Sequence, residues 1–314
     1  MDQLRALRIL SKVVAEGSFA AAARTLDLAP AVVTRAVADL EQHLGARLLN
    51  RSTRSLALTE IGETYLLRAN TILAQLDEAD ALAGNATRQP SGNLRVLCPP
   101  AFAVHQLAAA LPDFHRRYPH ISLEIAAPGP VDVADENFDV SILSIGQQGL
   151  QGDFVVRPLA SSRFIICAAP GYLAEHGCPQ TPEDLLTHHG LLPAVSALRR
   201  ELTLYRQDSA SATADSVTLP LPAAVLSTQQ IELILAAALA GLGVAGLPSF
   251  VAAHALREGR LRRVLADWHG TTLNLYAAMP TRKHVPARTR AFVDFLVERF
   301  GGDLLDPWLP AESA

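Results

Sequence analysis

Through the first 45 residues apolar positions recur every third or fourth residue, and after that the spacing shortens to alternation. Leu4, Leu7, Leu10 and Val14 fall at helical spacing and predict an amphipathic helix with one buried face. "EGSF" reads as a turn into a second helix over residues 19–25, with Ser18 placed to accept an amide hydrogen of its first turn. That helix is almost all alanine, from Ala20 to Ala23, and small side chains let another helix come close. "LDLAP" makes a tight connection to a third helix. Pro30 suits its first position, where the missing amide hydrogen costs nothing. Val33, Val37, Leu40 and Leu44 form its apolar stripe, and Gly45 supplies the stop.

Residues 50–59, "NRSTRSLALT", have a polar tip between Leu48, Leu49, Leu56 and Leu58. The last two alternate as in a strand, so a two-stranded hairpin carrying Arg51 and Arg54 is expected. A long helix follows from Thr59 to Gly84, with Glu60 and Glu63 favouring the positive end of its dipole. Leu66, Ala69, Leu73, Leu76, Asp80 and Ala83 make a narrow seam suited to pairing with another helix. "GNATRQPSGN" reads as a linker. Beyond it, "LRVL", "SLEIAA", "DVSILS", "FIICAA", "VLST", "GVAGLP" and "LNLYAA" are strand candidates, with helices at 103–117 and 231–240 between them. Such alternation predicts a parallel-rich α/β fold with helices on both faces. Its span suits two lobes better than one.

Composition narrows the class. A chain of 314 residues that is 49% apolar can bury more than one core and is not disordered as a whole. The net charge of −4 argues against coating nucleic acid by bulk electrostatics. The charge is uneven, however. Residues 1–60 hold eight basic and six acidic side chains, a net +2, which leaves −6 on the rest. A small basic end on an acidic body suits phosphate contact at one place. No export signal or membrane-length apolar run is read, and Cys98, Cys167 and Cys178 have neither metal-ligand nor disulfide-framework spacing. A reducing cytoplasm is the expected location, with no metal and no cofactor.

The helix from Pro30 to Leu44 is open to two readings, a packed core helix or one that lies in the major groove of DNA. Three features favour the groove. The preceding helix and turn have helix-turn-helix spacing. Thr34 and Arg35 stand near the exposed start, able to hydrogen-bond base edges. An Arg-bearing hairpin follows where a winged motif grips the backbone. The segment "FAAAARTLDLAPAVVTRAVADLEQHLGARLLNRSTRSLALTEIG" resembles the winged helix-turn-helix of LysR-type transcriptional regulators. "GNLRVLCPPAFAVHQLAAALPDFHRRYPHISLEI", "CAAPGYLAEHGCPQTPEDL", "ALAGLGVAGLPSFVAAHALREGRLRRVLADW" and "PARTRAFVDFLVERF" resemble later segments of that family, in order.

The resemblance implies a sequence-specific DNA-binding regulator, not an enzyme. Residues 1–58 would be the winged helix-turn-helix, of all-α type, and 59–91 a dimerising linker helix and hinge. Residues 92–300 would be a periplasmic-binding-protein-like effector domain, with lobe one at 92–162 and 268–300 and lobe two at 163–267. Residues 301–314 would be a tail. It also implies a homodimer or homotetramer on double-stranded promoter DNA, with a small effector between the lobes and no membrane partner. The DNA-contacting positions fall on Pro30, Ala31, Thr34 and Arg35, with Arg51, Thr53 and Arg54 in the wing. The effector positions fall on Pro100, Ala101 and Phe102, opposite Leu143, Ser144, Thr228 and Gln229. Relatives often hold a carboxylate with Ser or Thr at the first of these places. "PPAF" offers no side-chain donor there, so an apolar or aromatic ligand gains. Arg199 and Arg200 could close over an anion, although paired surface arginines are usually solvated.

Two rival classes fare worse. For an enzyme, His188, His189 and His269 are the tempting groups, but no phosphate-binding glycine fingerprint, nucleophile elbow or His/Glu metal spacing accompanies them. A pure solute-binding protein is opposed by the winged motif.

Overall fold

The computed structural model describes residues 2–51, 56–83, 89–146, 149–150, 152–194, 201–206, 216–280 and 285–309. The chain forms two units, Met1–Gln89 and Pro90–Ala314.

The first unit contains α1 (Gln3–Ala15), α2 (Phe19–Thr25), α3 (Pro30–Leu44), β1 (Leu49–Arg51), β2 (Leu56–Leu58) and α4 (Glu60–Ala83). Leu7, Leu10 and Val13 of α1 pack with Ala22 and Ala23 of α2 and with Val33, Val37 and Leu40 of α3. Of the α1 positions that helical spacing selects, Leu7 and Leu10 are buried, whereas Leu4 is 40% exposed and Val14 lies at the edge of the core, with Val13 buried in its place. The alanines of α2 admit the close approach. The seam expected on α4 for a second helix is partly used within the chain. Ala69 and Leu73 are buried in this same core, and Leu66 packs against it. Apolar spacing marks a covered stripe but does not say which chain covers it. The side chains of Asp80 and Ala83 lie outside the described residues.

The second unit runs β3 (Gly92–Leu97), α5 (Pro100–Phe102), a π-helical turn (Ala103–Leu107), α6 (Ala108–Arg117), β4 (Ile121–Ala126), β5 (Val140–Ile145) and β6 (Phe154–Ala168). Next come α7 (Pro170–His176), a 3₁₀ turn (Pro182–Thr187), β7 (Gly190–Pro193), β8 (Glu201–Arg206), β9 (Ser216–Pro220), β10 (Ala224–Thr228) and α8 (Ile231–Leu239). β11 (Val244–Pro248), α9 (Ser249–Arg257), β12 (Arg262–Arg263), β13 (Trp268–His269), β14 (Thr272–Pro280) and α10 (Ala287–Phe300) complete it. Gly92 and Asn93, expected in the linker, already belong to β3.

The main sheet has the order β10-β7-β11-β6-β14-β5-β3-β4, with β12 beside β6. Both ends are parallel, as the alternation predicts. Its middle, β11-β6-β14-β5, is antiparallel, so the sheet is mixed. The reason is β6, expected as a short strand at "FIICAA" and found to span 15 residues. β14 pairs with it from Phe154 to Arg163, and β11 pairs with it from Phe164 to Cys167. One strand therefore serves two halves of the unit, and a returning strand must run against it. Helices do not cover everything either. Over Leu97, Leu143, Ile145 and Ala278 the cover comes from the 127–139 loop, through Val131, Ala134 and Phe138. β8, β9 and β13 form a separate antiparallel sheet.

Candidate nucleic-acid interface and effector pocket

The helix-turn-helix is built from its turns. Ser18 is extended, and its hydroxyl accepts from the Ala21 amide at 3.4 Å, which starts α2. Asp27 takes a left-handed φ of 53°, a conformation that short polar side chains tolerate, and the chain reverses there within a few residues. α3 starts at Pro30 with no side-chain cap from Ala29, and it ends at Gly45 in the left-handed region. Val33, Val37 and Leu40 face the core, so Pro30, Ala31, Thr34 and Arg35 are left outward and exposed. The Thr34 hydroxyl donates to Pro30 O at 3.0 Å, which turns its lone pairs outward as acceptors. The Arg35 side chain is 84% exposed, and its ion pair with Asp39 spans 3.9 Å. At that exposure the pair holds the guanidinium weakly, and a base or phosphate can compete for it.

The wing is fixed to the same helix. Glu41 of α3 accepts the amides of Leu48 and Leu49 through one oxygen, at 2.8 and 3.0 Å. Thr59 closes the other side: its hydroxyl donates to Arg47 O at 2.8 Å and accepts from Gly62 N at 2.9 Å. A Cβ on Gly62 would lie 2.0 Å from Leu48 O, so only glycine lets α4 approach the strand this closely. Arg51 is the last residue of β1. Its side chain, and all of Thr53 and Arg54, lie outside the described residues.

The expected effector residues are divided by the fold. Phe102 is fully buried, with its ring 5.8 Å from that of Phe250 and 5.2 Å from that of Phe300. Leu143 is 1% exposed and belongs to a different cluster, on the other face of β5 from Ile142, which shares the Phe102 core. Both side chains are core and present no surface to a ligand here. Ala101 is nearly buried, whereas Pro100 and Ser144 are half-exposed. The Ser144 amide donates to Val131 O at 2.8 Å. Thr228 ends β10, and its hydroxyl accepts from Gln230 N at 3.1 Å, shaping the entry to α8 beside the exposed Gln229. Arg199 and Arg200 lie outside the described residues.

Just beyond these positions lie two groups that sequence reasoning missed. His105 Nε2, in the π-helical turn, and Glu232 Oε1, in the first turn of α8, are buried atoms without a hydrogen-bond partner among the described residues. Burial holds the His105 pKa below its ordinary value, against the raising influence of Glu232 and with a lowering one from His254. Nothing in the sequence distinguishes His105 from a surface histidine of an amphipathic helix. Two open clefts lie elsewhere. One of about 560 Å³ is lined by Leu97, Pro130, Val133, Asp135 and Glu136, and one of about 530 Å³ by Ala169, Tyr172, Glu175, Leu239 and Arg260. Neither takes in a residue of the expected effector set.

The histidines considered for catalysis have structural partners. Tyr172 Oη accepts from His189 N at 3.0 Å and lies 3.2 Å from His188 Nδ1, while His176 stacks on the Tyr172 ring at 4.3 Å. His269 Nδ1 lies 2.7 Å from Gly270 O.

An exposed recognition-type helix with a hairpin pinned to it, followed by a separate mixed α/β unit, defines a DNA-binding regulator with a sensor domain. The comparisons agree. Residues 4–63 match the family model "Bacterial regulatory helix-turn-helix protein, lysR family", and residues 87–301 match "LysR substrate binding domain". The transcriptional regulator CrgA of Neisseria meningitidis serogroup C is 33% identical over 303 residues, 95% of this chain and 97% of CrgA. The uncharacterized regulator YhjC of Escherichia coli is 33% identical over 299 residues, 94% of this chain and 97% of YhjC. The solved structure of N. meningitidis CrgA aligns at a TM-score of 0.57 and 32% identity, covering 95% and 98% of the two chains. The Vibrio cholerae virulence activator AphB aligns at 0.58 and 26%, covering 95% and 99%. The chain belongs to the LysR family of transcriptional regulators, and that family is not one of enzymes.

Proposed function

We propose that this regulator is cytoplasmic and reads a promoter through the first turns of α3, with the wing gripping the backbone. Ala31, Thr34 and Arg35 would face base edges, beside Pro30 at the helix start. Arg51, Thr53 and Arg54 would meet phosphates. The observation that carries this reading is the outward, uncapped start of α3, with Arg35 at its first exposed turn and the wing tied to Glu41 behind it. Dimerisation would run along α4. Its Ile61 and Ile72 are 60% and 49% exposed and eleven residues apart, which places them on one helix face. A homodimer built this way, or a homotetramer of two, presents paired wings.

The second unit would work as two lobes, 92–162 with 268–300 and 163–267. In support, β6 changes partners between Arg163 and Phe164. A small effector would enter between them, touching Pro100, Ala101, Ser144, Thr228 and Gln229. Phe102 and Leu143 would shape the walls from behind. Closure would change the spacing of the wings, and hence the DNA bend that the oligomer favours.

Footprinting the full-length chain on the DNA upstream of its own coding sequence, with and without a metabolite library, tests this. Protection of a defined site that shifts with one metabolite is the expected result. Protection no better than on random DNA overturns the DNA reading, and a footprint unchanged by every metabolite overturns the sensor reading.

A further inference from the structure

The segment after α10, expected as a tail, is bound back onto the fold over its described length. Gly302 N donates to Leu159 O at 3.1 Å and Ser161 N to Leu305 O at 2.8 Å, while the Ser161 hydroxyl donates to Leu304 O at 2.9 Å. The Asp306 carboxylate then accepts from Arg163 N at 2.9 Å and from the Ser249 hydroxyl at 2.9 and 2.8 Å. Ser249 Oγ lies 2.8 Å from Ser162 Oγ, and both serines are fully buried. Trp308 continues the attachment. Its Nε1 donates to Gln106 Oε1 at 2.8 Å, and Gln106 Nε2 donates to Phe250 O at 2.7 Å. The indole meets the Phe250 ring edge-on at 5.6 Å.

The location is what matters. Ser161, Ser162 and Arg163 are the last residues of β6 paired with β14, and Phe164 is the first paired with β11. The other crossing is beside it: Gly270 N donates to Phe164 O and Phe164 N to Thr271 O, at 2.7 and 2.9 Å. Asp306 therefore joins the crossing strand to the start of α9, and Trp308 extends the tie to the π-helical turn after β3. These are pieces of both halves. Any rotation of one half on the other must move Ser162 relative to Ser249, and doing so strands two fully buried hydroxyls and breaks the charge-assisted bonds to the half-buried Asp306.

We propose that Gly301–Leu309 is a hinge latch, with Asp306 as its pin, that holds the lobes at one angle until an effector supplies enough binding energy to break it. The latch deepens the two-lobed sensor reading and rests on it. It makes lobe motion switch-like, because a hydrogen-bonded network built on the buried Ser162 and Ser249 hydroxyls, with the half-buried Asp306 carboxylate, is either intact or broken.

The test uses the full-length chain with Cys178→Ser, spin-labelled through His115→Cys on α6 and Glu175→Cys on α7. The otherwise unsubstituted protein should show one narrow inter-lobe distance. Asp306→Ala should broaden or shift it, and should speed hydrogen exchange at the Arg163 amide by roughly tenfold, the size of a lost bond to a charged group. Asp303→Ala removes a carboxylate that accepts from Leu305 N within the segment, and should leave the distance unchanged. Ser249→Ala, which breaks the same chain one link further on, gives the same readout if Asp306→Ala does not fold. A native circular-dichroism spectrum with an unchanged distance distribution in either variant overturns the latch. The sensor reading stands or falls separately, on the footprint of the unsubstituted chain with metabolites.

Discussion

The two units display their candidate chemistry in opposite ways. In the first, one short run from Pro30 to Arg35 projects from a single helix whose stripe, Val33, Val37 and Leu40, is turned inward. In the second, the candidates come from β3–α5, β5 and β10–α8, and the sheet itself claims part of the set. A surface helix leaves outward whatever its stripe does not use. A strand packed on both faces leaves almost nothing. β5 is buried at five of its six positions, and Leu143 is one of them.

The comparison breaks most readily at Gly62. Gly62→Ala drives a Cβ to 2.0 Å from a backbone oxygen that no side-chain motion can clear, so the first unit should lose about 3 kcal/mol. Calorimetry on the full-length chain should show its transition falling while that of the second unit holds. If both transitions fall together, the units do not fold separately and the contrast above fails.

How much was legible follows the same division. Helix boundaries in the first unit were readable because every determinant is local. Ser18 caps α2, Pro30 opens α3 and Gly45 closes it, each within a turn of the element it controls. The second unit's strands announced themselves only where apolar runs stood alone. β7, β8, β9, β12 and β13 were not foreseen. β8 and β9 alternate buried and exposed positions weakly, and β12 and β13 are two residues each. β6 is longer than the apolar run suggests because "RPLASSR" at its middle looks like a loop, and the hydroxyls of Ser161 and Ser162 find their partners only far along the chain, at Leu304 O and at the Ser249 hydroxyl. That Phe102 and Leu143 are buried in the core was hidden for a related reason. An apolar residue beside a pocket and one in a core look the same in sequence.

Arg35 sharpens the comparison from the DNA side. If it reads a base edge, Arg35→Ala should lose about 2 kcal/mol of preference for the footprinted site over random DNA. Arg54→Ala should weaken both equally and flatten the salt dependence by about one ion. Competition binding at several salt concentrations checks this, and equal losses for Arg35→Ala on both DNAs would make it a phosphate contact instead.

Acidification should separate the units more gently. Burial holds His188, His105 and His269 below the ordinary histidine pKa, all three in the second unit. The unfolded chain takes up protons near pH 6.5 that the folded chain refuses until lower pH. Stability therefore falls as pH drops through about 6.5 and is fully present above it. In the first unit Glu16 is held low by its bond to Lys12, so its contribution is lost only as pH falls through and below the ordinary carboxylate range, outside this window. Melting between pH 7.5 and 5.5 should lower the second transition and spare the first. His188→Gln should reduce that slope.

The smallest effect expected is the absence of a reaction. Burial alone pushes the thiols of Cys98 and Cys167 up to about 12, so both are protonated at neutral pH. Cys98 and Cys167 lie in the large core of the second unit, whereas Cys178 is partly exposed. Iodoacetamide followed by mass spectrometry should modify Cys178 and leave the other two intact. Their eventual labelling then reports opening of the second unit, because alkylation needs both exposure and deprotonation. In Gly62→Ala that slow rate should equal the unsubstituted one, even as the first unit unfolds. A faster rate at Cys98 or Cys167 would mean that the two units do not open independently.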